Sequence, residues 1–375
     1  MTVYFDNSAT TKPCDNAVKA AVFAMEECWG NPSSLHFKGS DAAKLLEKSR
    51  KQVSALLKCP KENFFFTPSG TCANNTAVFG VYEKFKKSGN RIVTTAFEHP
   101  SVSEPLNRLE KYGAQIIRIK PDKFGRINED EFLSAITENT VLVSCMAVNN
   151  EVGSVMPVSS IKSAVKSSRS PAVIHTDCVQ AFGKINTAPA VLGADIITVS
   201  AHKIHGLKGA GGIYLKDKSL IHPYVLGGGQ EKKIFSGTEA LPAVAAFGAA
   251  AEDTGNIGEN SKRVALLKSR IVNALKDNPK IVINSPEDSV PYILNLSIPG
   301  FPSQPIVNYM SDKGICISAG SACKTGHRSP VLTAMGLEPK IIDSAVRISL
   351  SRYTTEEEAD ILINALSECA NKYGK

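Results

Sequence analysis

The chain has no CxxC pair, no apolar run long enough to cross a bilayer, no low-complexity tract and no internal repeat. Its nine cysteines (Cys14, Cys28, Cys59, Cys72, Cys145, Cys178, Cys316, Cys323 and Cys369) are odd in number and widely dispersed. His327 follows Cys323 by four residues, but no CxxC pair accompanies it. Disulfide frameworks and metal sites are thereby disfavoured, and a reducing, cytoplasmic setting is expected. The opening MTVYFDNSATT lacks the basic start and apolar core of a secretory signal. A strong charge of one sign is also missing: 43 Lys and Arg face 36 Asp and Glu, a net +7. The densest basic groups (Lys84, Lys86, Lys87; Lys44, Lys48, Arg50, Lys51) fall on apparent helix surfaces and make no basic stripe. They read as solvated faces, so neither a membrane nor direct nucleic-acid binding is expected.

What is present is ordinary globular composition, 43% hydrophobic and 21% charged over 375 residues, enough for a large core and a smaller one. Helices are expected over 15–28 and up to about Leu57. Short apolar runs then alternate with helical stretches such as Cys72–Phe85, Ser101–Lys111 and Val158–Ser168. Seven runs read as strands: Phe64–Phe66, Arg91–Thr95, Gln115–Ile119, Val141–Cys145, Ala172–His175, Asp195–Val199 and Gly212–Leu215. Such alternation builds a mostly parallel sheet covered by helices on both faces. Beyond Gly255 the pattern changes to a long helix (Glu259–Asp277), short strands and a terminal helix (Glu356–Tyr373), an α+β unit. The expected division is a large domain over 13–254 and a small one from 1–12 plus 255–375.

Ligands of parallel sheets gather at the carboxyl ends of strands, and the unusual residues here stand there. The run Asp195–Val199 leads into SAHKIHGLKGAGG, with Lys203 and Lys208. A lysine amine that must attack a carbonyl needs an unprotonated fraction, obtained by desolvation or nearby positive charge. Read alone, the loop fits two solvent-facing lysines equally well. Asp177, after the preceding strand, suits a partner for a pyridine nitrogen, or simply an N-cap. Gln180 can donate to a ring oxygen. Phe64–Phe66 leads through Thr67-Pro68-Ser69-Gly70-Thr71 into a helix, which makes an anion cradle of free N–H groups and hydroxyls.

In order the chain carries YFDNSATT, GNPSSLH, FTPSGTCANN, FEHPSV, VNNEVG, HTDCVQ, SAHKIHGLKG, GGGQEKKIFSGT, GSACKTG and RISLSRYTTEEE. This series closely resembles the group I (NifS/IscS-like) cysteine desulfurases of the class V aminotransferase family, from end to end. The resemblance implies the pyridoxal-5′-phosphate (PLP) transferase fold type I: an α/β large domain on a mostly parallel seven-stranded sheet, with a smaller α+β domain. It implies PLP as cofactor and L-cysteine as substrate, converted to L-alanine. The sulfur would pass to Cys323 as a persulfide, then to an iron–sulfur scaffold or thiolation protein.

Residue by residue, Lys203 matches the PLP-bearing lysine, Asp177 the partner of the ring nitrogen and Gln180 the ligand of the ring oxygen. His99 matches an imidazole stacked on the ring that also handles protons. Thr71, Ser200 and His202, beside Gly70 in the cradle, match phosphate ligands. Thr238 matches a threonine supplied by the other subunit of a homodimer. Asn150 and Arg347 match the clamp on the substrate carboxylate, with Arg352 a lower-ranked competitor. Cys323 stands on a loop of small residues, where a sulfur-carrying thiol needs freedom to move. Cys72, Lys232, Phe235 and the KTGHRSP run after Cys323 depart from the usual pattern, which bears on partner choice and loop behaviour. Alternatives within enzymes are a selenocysteine lyase or an ordinary class V aminotransferase, which has no use for the GSAC thiol. A PLP-binding protein without turnover is the alternative outside them.

Overall fold

The computed structural model describes residues 2–319 and 328–374. In chain order the strands are β1 (Val3–Tyr4), β2 (Phe64–Thr67), β3 (Arg91–Thr95), β4 (Gln115–Ile119), β5 (Thr140–Ser144), β6 (Val173–Asp177), β7 (Ile196–Ser200) and β8 (Gly211–Leu215). They continue with β9 (Val282–Ile283), β10 (Ile293–Ser297), β11 (Ile315–Cys316), β12 (Ser318–Ala319) and β13 (Ala345–Ser349).

Strands β2 to β8 form one seven-stranded sheet in the order β2-β8-β7-β6-β5-β3-β4, each within two residues of an expected run. Five neighbouring strands run parallel, but β8 is antiparallel to both its neighbours. The cause is its connection: only residues 201–210 join β7 to β8, too few for the crossover that parallel strands require.

Alternate residues of the strands enter different cores. Ile92, Leu142, Val173 and Ile196 pack with the helices Gly70–Phe85 and Pro100–Lys111 on one face. Val93, Val143, Ile174 and Ile197 join the larger core on the other, which includes residues of the helices Asp15–Glu26, Phe37–Leu57 and Leu241–Asp253. A strand buried on both faces is mostly apolar, and Ser144, His175 and Thr198, polar side chains that these strands do bury, are hydrogen-bonded to one another.

Gly211 is registered opposite both Thr67 and Ser200, so β2 and β7 end at one edge of the sheet. Asp177 is level with Thr198 of β7, and Ser144 with His175, so β5 and β6 end there too. This edge collects the loops that carry the polar motifs.

A second sheet has the order β12-β13-β10-β9, all antiparallel. Strand β1 pairs with β11, and Asp6 bridges to Ser349, so the N-terminal residues lie against the C-terminal part of the chain. Strand β13 is not among the expected strands, although it carries Arg347. Its run AVRIS is short and interrupted by an arginine, which hides a buried strand from a periodicity reading. No helix among the described residues is long and apolar enough to cross a membrane.

Candidate active site

The helix Gly70–Phe85 starts at the sheet edge with Ser69 as its N-cap, whose hydroxyl accepts from Cys72 N–H at 3.1 Å. A Cβ on Gly70 would lie 2.9 Å from Val179 Cγ2 and 3.3 Å from Ser200 Cβ, and one on Gly211 would lie 2.5 Å from Ser69 C. Glycine lets the helix start come this close to β7 and β8. Its free N–H groups and the Thr71 hydroxyl border a cavity of about 190 Å³ that also reaches Ser200 and His202.

Lys203 and Asp177 line that same cavity, on one side of the sheet, together with His99, Gln180 and Asn150. Lys203 follows β7 in a single 3₁₀ turn and is half-buried, its Nζ donating to Ser8 O at 2.5 Å and Ala9 O at 2.7 Å. Burial, reinforced by the Arg347 guanidinium, pushes this amine down to about 8. Asp177 ends β6, and its carboxylate accepts from Asn74 Nδ2 at 2.7 Å and from Val179 N–H at 2.8 Å. Gln180 donates to Ser8 O (2.9 Å) and accepts at Oε1 from Lys184 Nζ (3.2 Å). Lys184 is itself buried, which lowers its amine to about 7. Sequence reading misses it, since a lone lysine in a helical pattern looks like a surface charge.

His99 caps the helix Pro100–Lys111, accepting at Nδ1 from Ser101 N–H (3.1 Å). Its ring is open to the cavity, yet the protein around it desolvates the imidazole enough to hold its pKa below the ordinary value. His202 touches Thr10 Oγ1 at 3.2 Å, and burial beside Lys203 lowers it to about 4.

Arg347, on β13, does not line the cavity but bonds to Asn150, which does. Its Nη1 donates to Asn150 O (2.9 Å) and its Nη2 meets Asp6 Oδ1 (3.1 Å). The Asn150 Oδ1 and Arg347 Nε atoms are buried without a hydrogen-bond partner. A buried donor and acceptor left unmade are costly unless a ligand supplies the missing contacts. The competing Arg352 is engaged instead by Asp253 Oδ2 (2.7 Å) and the Thr254 hydroxyl.

One more described candidate, Thr238, does not line the cavity. Thr238 is exposed and borders a separate hollow with Phe235 and Pro68. Cys323 lies outside the described residues. Of the departures from the family pattern, Cys72 is half-buried within the first turn of its helix, and Lys232 is exposed.

The site fits pyridoxal phosphate in each of its parts. A helix N-terminus with hydroxyls suits the phosphate, and an acid suits the ring nitrogen. An amide donor suits the ring oxygen, and a lysine with a lowered pKa suits the aldehyde.

Behind the cavity lies Glu98, buried, with Oε1 accepting from Thr95 Oγ1 (2.7 Å) and Met146 N–H (2.9 Å) and Oε2 without a partner. Burial pushes its carboxyl up to about 8 from 4.5, so it is neutral in the folded protein at pH 7. In that window the unfolded chain is ionised at this group and the folded chain is not, so folding takes up a proton. Stability therefore falls as pH rises, by at most about 1.4 kcal/mol per pH unit from this group. Glu98→Gln, the isostere of the neutral acid, is expected to remove that slope. Denaturant unfolding of both proteins from weakly acidic pH to pH 8 measures it; parallel pH dependences would show that Glu98 is already ionised.

The family model for aminotransferase class-V matches residues 3–362. A NifS/IcsS protein homolog of Lactobacillus delbrueckii subsp. bulgaricus is 38% identical over 379 aligned residues, covering 100% of this chain and 98% of the relative. Cysteine desulfurase IscS 1 of Archaeoglobus fulgidus is 35% identical, over 97% of this chain and 95% of its own. A solved NifS-like protein superposes with a TM-score of 0.93 at 34% identity, covering 99% of this chain and all of its own. Matched over nearly its whole length by the family model, by these relatives and by a solved fold, the chain belongs to the aminotransferase class-V family.

Proposed function

We propose that this protein is a pyridoxal-phosphate-dependent cysteine desulfurase that converts L-cysteine to L-alanine and collects the sulfur on Cys323. The observation that carries this reading is the meeting of Lys203, Asp177, Gln180 and His99 in one cavity, against the anion cradle of residues 69–71. The full-length similarity to cysteine desulfurases supports it.

When bound, pyridoxal phosphate supplies an electrophilic aldehyde carbon and a pyridine ring that draws off the electron pair released at the substrate's α-carbon. Residues 69–71 with Ser200 and His202 hold the phosphate, Asp177 the ring nitrogen and Gln180 the ring oxygen. Asn150 and Arg347 clamp the substrate carboxylate, through groups that are buried and part-unpaired in this structure. The Lys203 amine, its pKa lowered, takes the proton from the substrate's α-carbon. His99 handles the remaining proton traffic. The Cys323 thiolate attacks the substrate sulfur, so that L-cysteine and a thiol become L-alanine and a persulfide.

The division into a 13–254 domain and a domain of 1–12 plus 255–375 is supported by the pairing of β1 with β11 and of Asp6 with Ser349. A homodimer belongs to the same proposal. Trp29, Leu35, Phe37 and Leu226 are large apolar side chains left exposed, and Thr238 stands exposed for a partner's site. The dispersed cysteines, all free among the described residues, suit a reducing cytoplasm. The persulfide would pass to an acceptor protein of iron–sulfur assembly or thiolation.

The test is incubation of the purified protein with pyridoxal phosphate and L-cysteine. Alanine and a persulfide mapped by mass spectrometry to Cys323 are expected, and Cys323→Ser should make neither catalytically. A yellow protein that forms no alanine and no persulfide would sink the proposal. Alanine from L-selenocysteine alone, surviving the loss of Cys323, would mark a selenocysteine lyase instead.

A further inference from the structure

Asn74 lies one turn into the helix Gly70–Phe85 and is fully buried. Its Nδ2 donates to Asp177 Oδ2 at 2.7 Å and to Ser101 Oγ at 2.8 Å, while its Oδ1 accepts from Thr198 Oγ1 at 2.5 Å. A carboxylate only accepts, so the NH₂ end of the amide must face Asp177.

The same sense passes outward to the cavity. Ser101 Oγ accepts from Asn74 and so turns its own hydrogen to His99 Nδ1, 2.8 Å away. The Ser101 backbone N–H points at that nitrogen as well. With two donors directed at it, Nδ1 is an acceptor, and the proton of the uncharged ring sits on Nε2. Inward, Thr198 donates to Asn74 and therefore accepts from His175 Nε2 (3.3 Å), whose Nδ1 accepts from Ser144 Oγ (2.9 Å). His175, Thr198 and Ser144 are fully buried, so no water competes for these roles. One continuous line runs from Ser144 to His99 in a single direction, with Asp177 setting its polarity.

We propose that Asn74 is a positioning residue that joins Asp177 to His99 through Ser101, so that the imidazole meets the cavity as an Nε2–H donor. His99 then has no nitrogen free to take a proton until Nε2 has given its own away. That consequence for turnover rests on the desulfurase reading; the tautomer does not. The charges acting on the ring are Asp177, Lys203 and Arg347.

Two-bond ¹H–¹⁵N NMR of the protein without cofactor, with His99 assigned through His99→Gln, reads the tautomer. Nδ1 unprotonated and Nε2 protonated at neutral pH is the expected pattern; a proton on Nδ1 overturns the proposal with no mutation required. In Asn74→Asp the two buried carboxyls share one proton, held on the new side chain toward Asp177, and that same oxygen accepts the Ser101 hydrogen. The His99 titration midpoint should then rise by about one pH unit or more. Asn74→Ala, checked for an unchanged melting profile, should weaken retention of pyridoxal phosphate about ten-fold in equilibrium dialysis, since Asp177 loses its anchor. Ser101→Ala keeps the backbone donor and should keep the Nε2–H tautomer. An unmoved midpoint in Asn74→Asp overturns the proposal. So does wild-type retention in a folded Asn74→Ala. A wild-type protein that bound no pyridoxal phosphate would sink the functional proposal, yet the tautomer and the midpoint shift would still decide this one.

Discussion

Lys203→Ala is expected to lower alanine formation from L-cysteine by at least about 10³-fold, more than truncation of any other side chain lining the cavity. The proposed function asks Lys203 to do two things in one cavity: form the covalent link to the cofactor and move the proton at the substrate's α-carbon. Its pKa of about 8 leaves about a tenth of the amine free at pH 7, against fewer than about one in a thousand for an ordinary lysine. The cause is burial beside the Arg347 guanidinium. Among the described residues, no other amine borders the cavity to substitute for it. Lys184 is held against Gln180 and does not border the cavity. Turnover should therefore climb with pH along a limb whose midpoint lies near 8, where the amine becomes free. Steady-state rates across neutral to alkaline pH read the limb. Borohydride treatment followed by denaturation should leave pyridoxal phosphate on wild type and not on Lys203→Ala. Cofactor retained covalently by the variant would show that another amine carries it.

Glu231→Ala is expected to destabilise the folded state by about 3–5 kcal/mol, several times what an exposed ion pair contributes. Both Glu231 oxygens meet the buried Arg50, at 2.7 and 2.8 Å, and Oε2 also accepts from Phe66 N–H at 2.7 Å. Truncating the acid strands the Arg50 guanidinium in the protein interior with only Glu47 and Phe64 O to turn to. It also releases a costly backbone. Glu231, Lys232 and Lys233 hold φ values of 46°, 53° and 68°, three left-handed residues in a row without a glycine. Replacing both charges, Arg50→Met with Glu231→Leu, should recover much of the loss, because no unpaired charge remains buried. Urea unfolding of the two variants tests this. A Glu231→Ala protein within about 1 kcal/mol of wild type would mean that the pair is screened by solvent.

Much of the site was legible before any fold was known, because the chemistry sits immediately after strands. Asp177 and Lys203 follow apolar runs that pattern alone marks as strands, and parallel neighbours must end at one edge. Both indeed face a single cavity. The helix start beside the cavity was legible for the same reason: Thr67 through Thr71 carries the turn and cap residues that it requires.

Other features had no local signature. Strand β13 is a five-residue run broken by Arg347, and only pairing with β10 and β12 makes it a strand. Glu98, Lys184 and the Arg50–Glu231 pair look like surface charges in one dimension. Their burial comes from segments far away in the chain, and burial is what shifts their protonation or makes their removal costly. Asn74 is a further case, since its three partners lie 27, 103 and 124 residues distant. By itself, then, the sequence determined the order of strands and helices, the edge where the chemistry collects, and the residue types gathered there. The tertiary structure decided which way the hydrogen bonds run, which ionisable groups are neutral, and which arginine is tied to the cavity wall through Asn150. Hydrophobic period is a property of neighbours along the chain, whereas desolvation and hydrogen-bond direction are properties of neighbours in space.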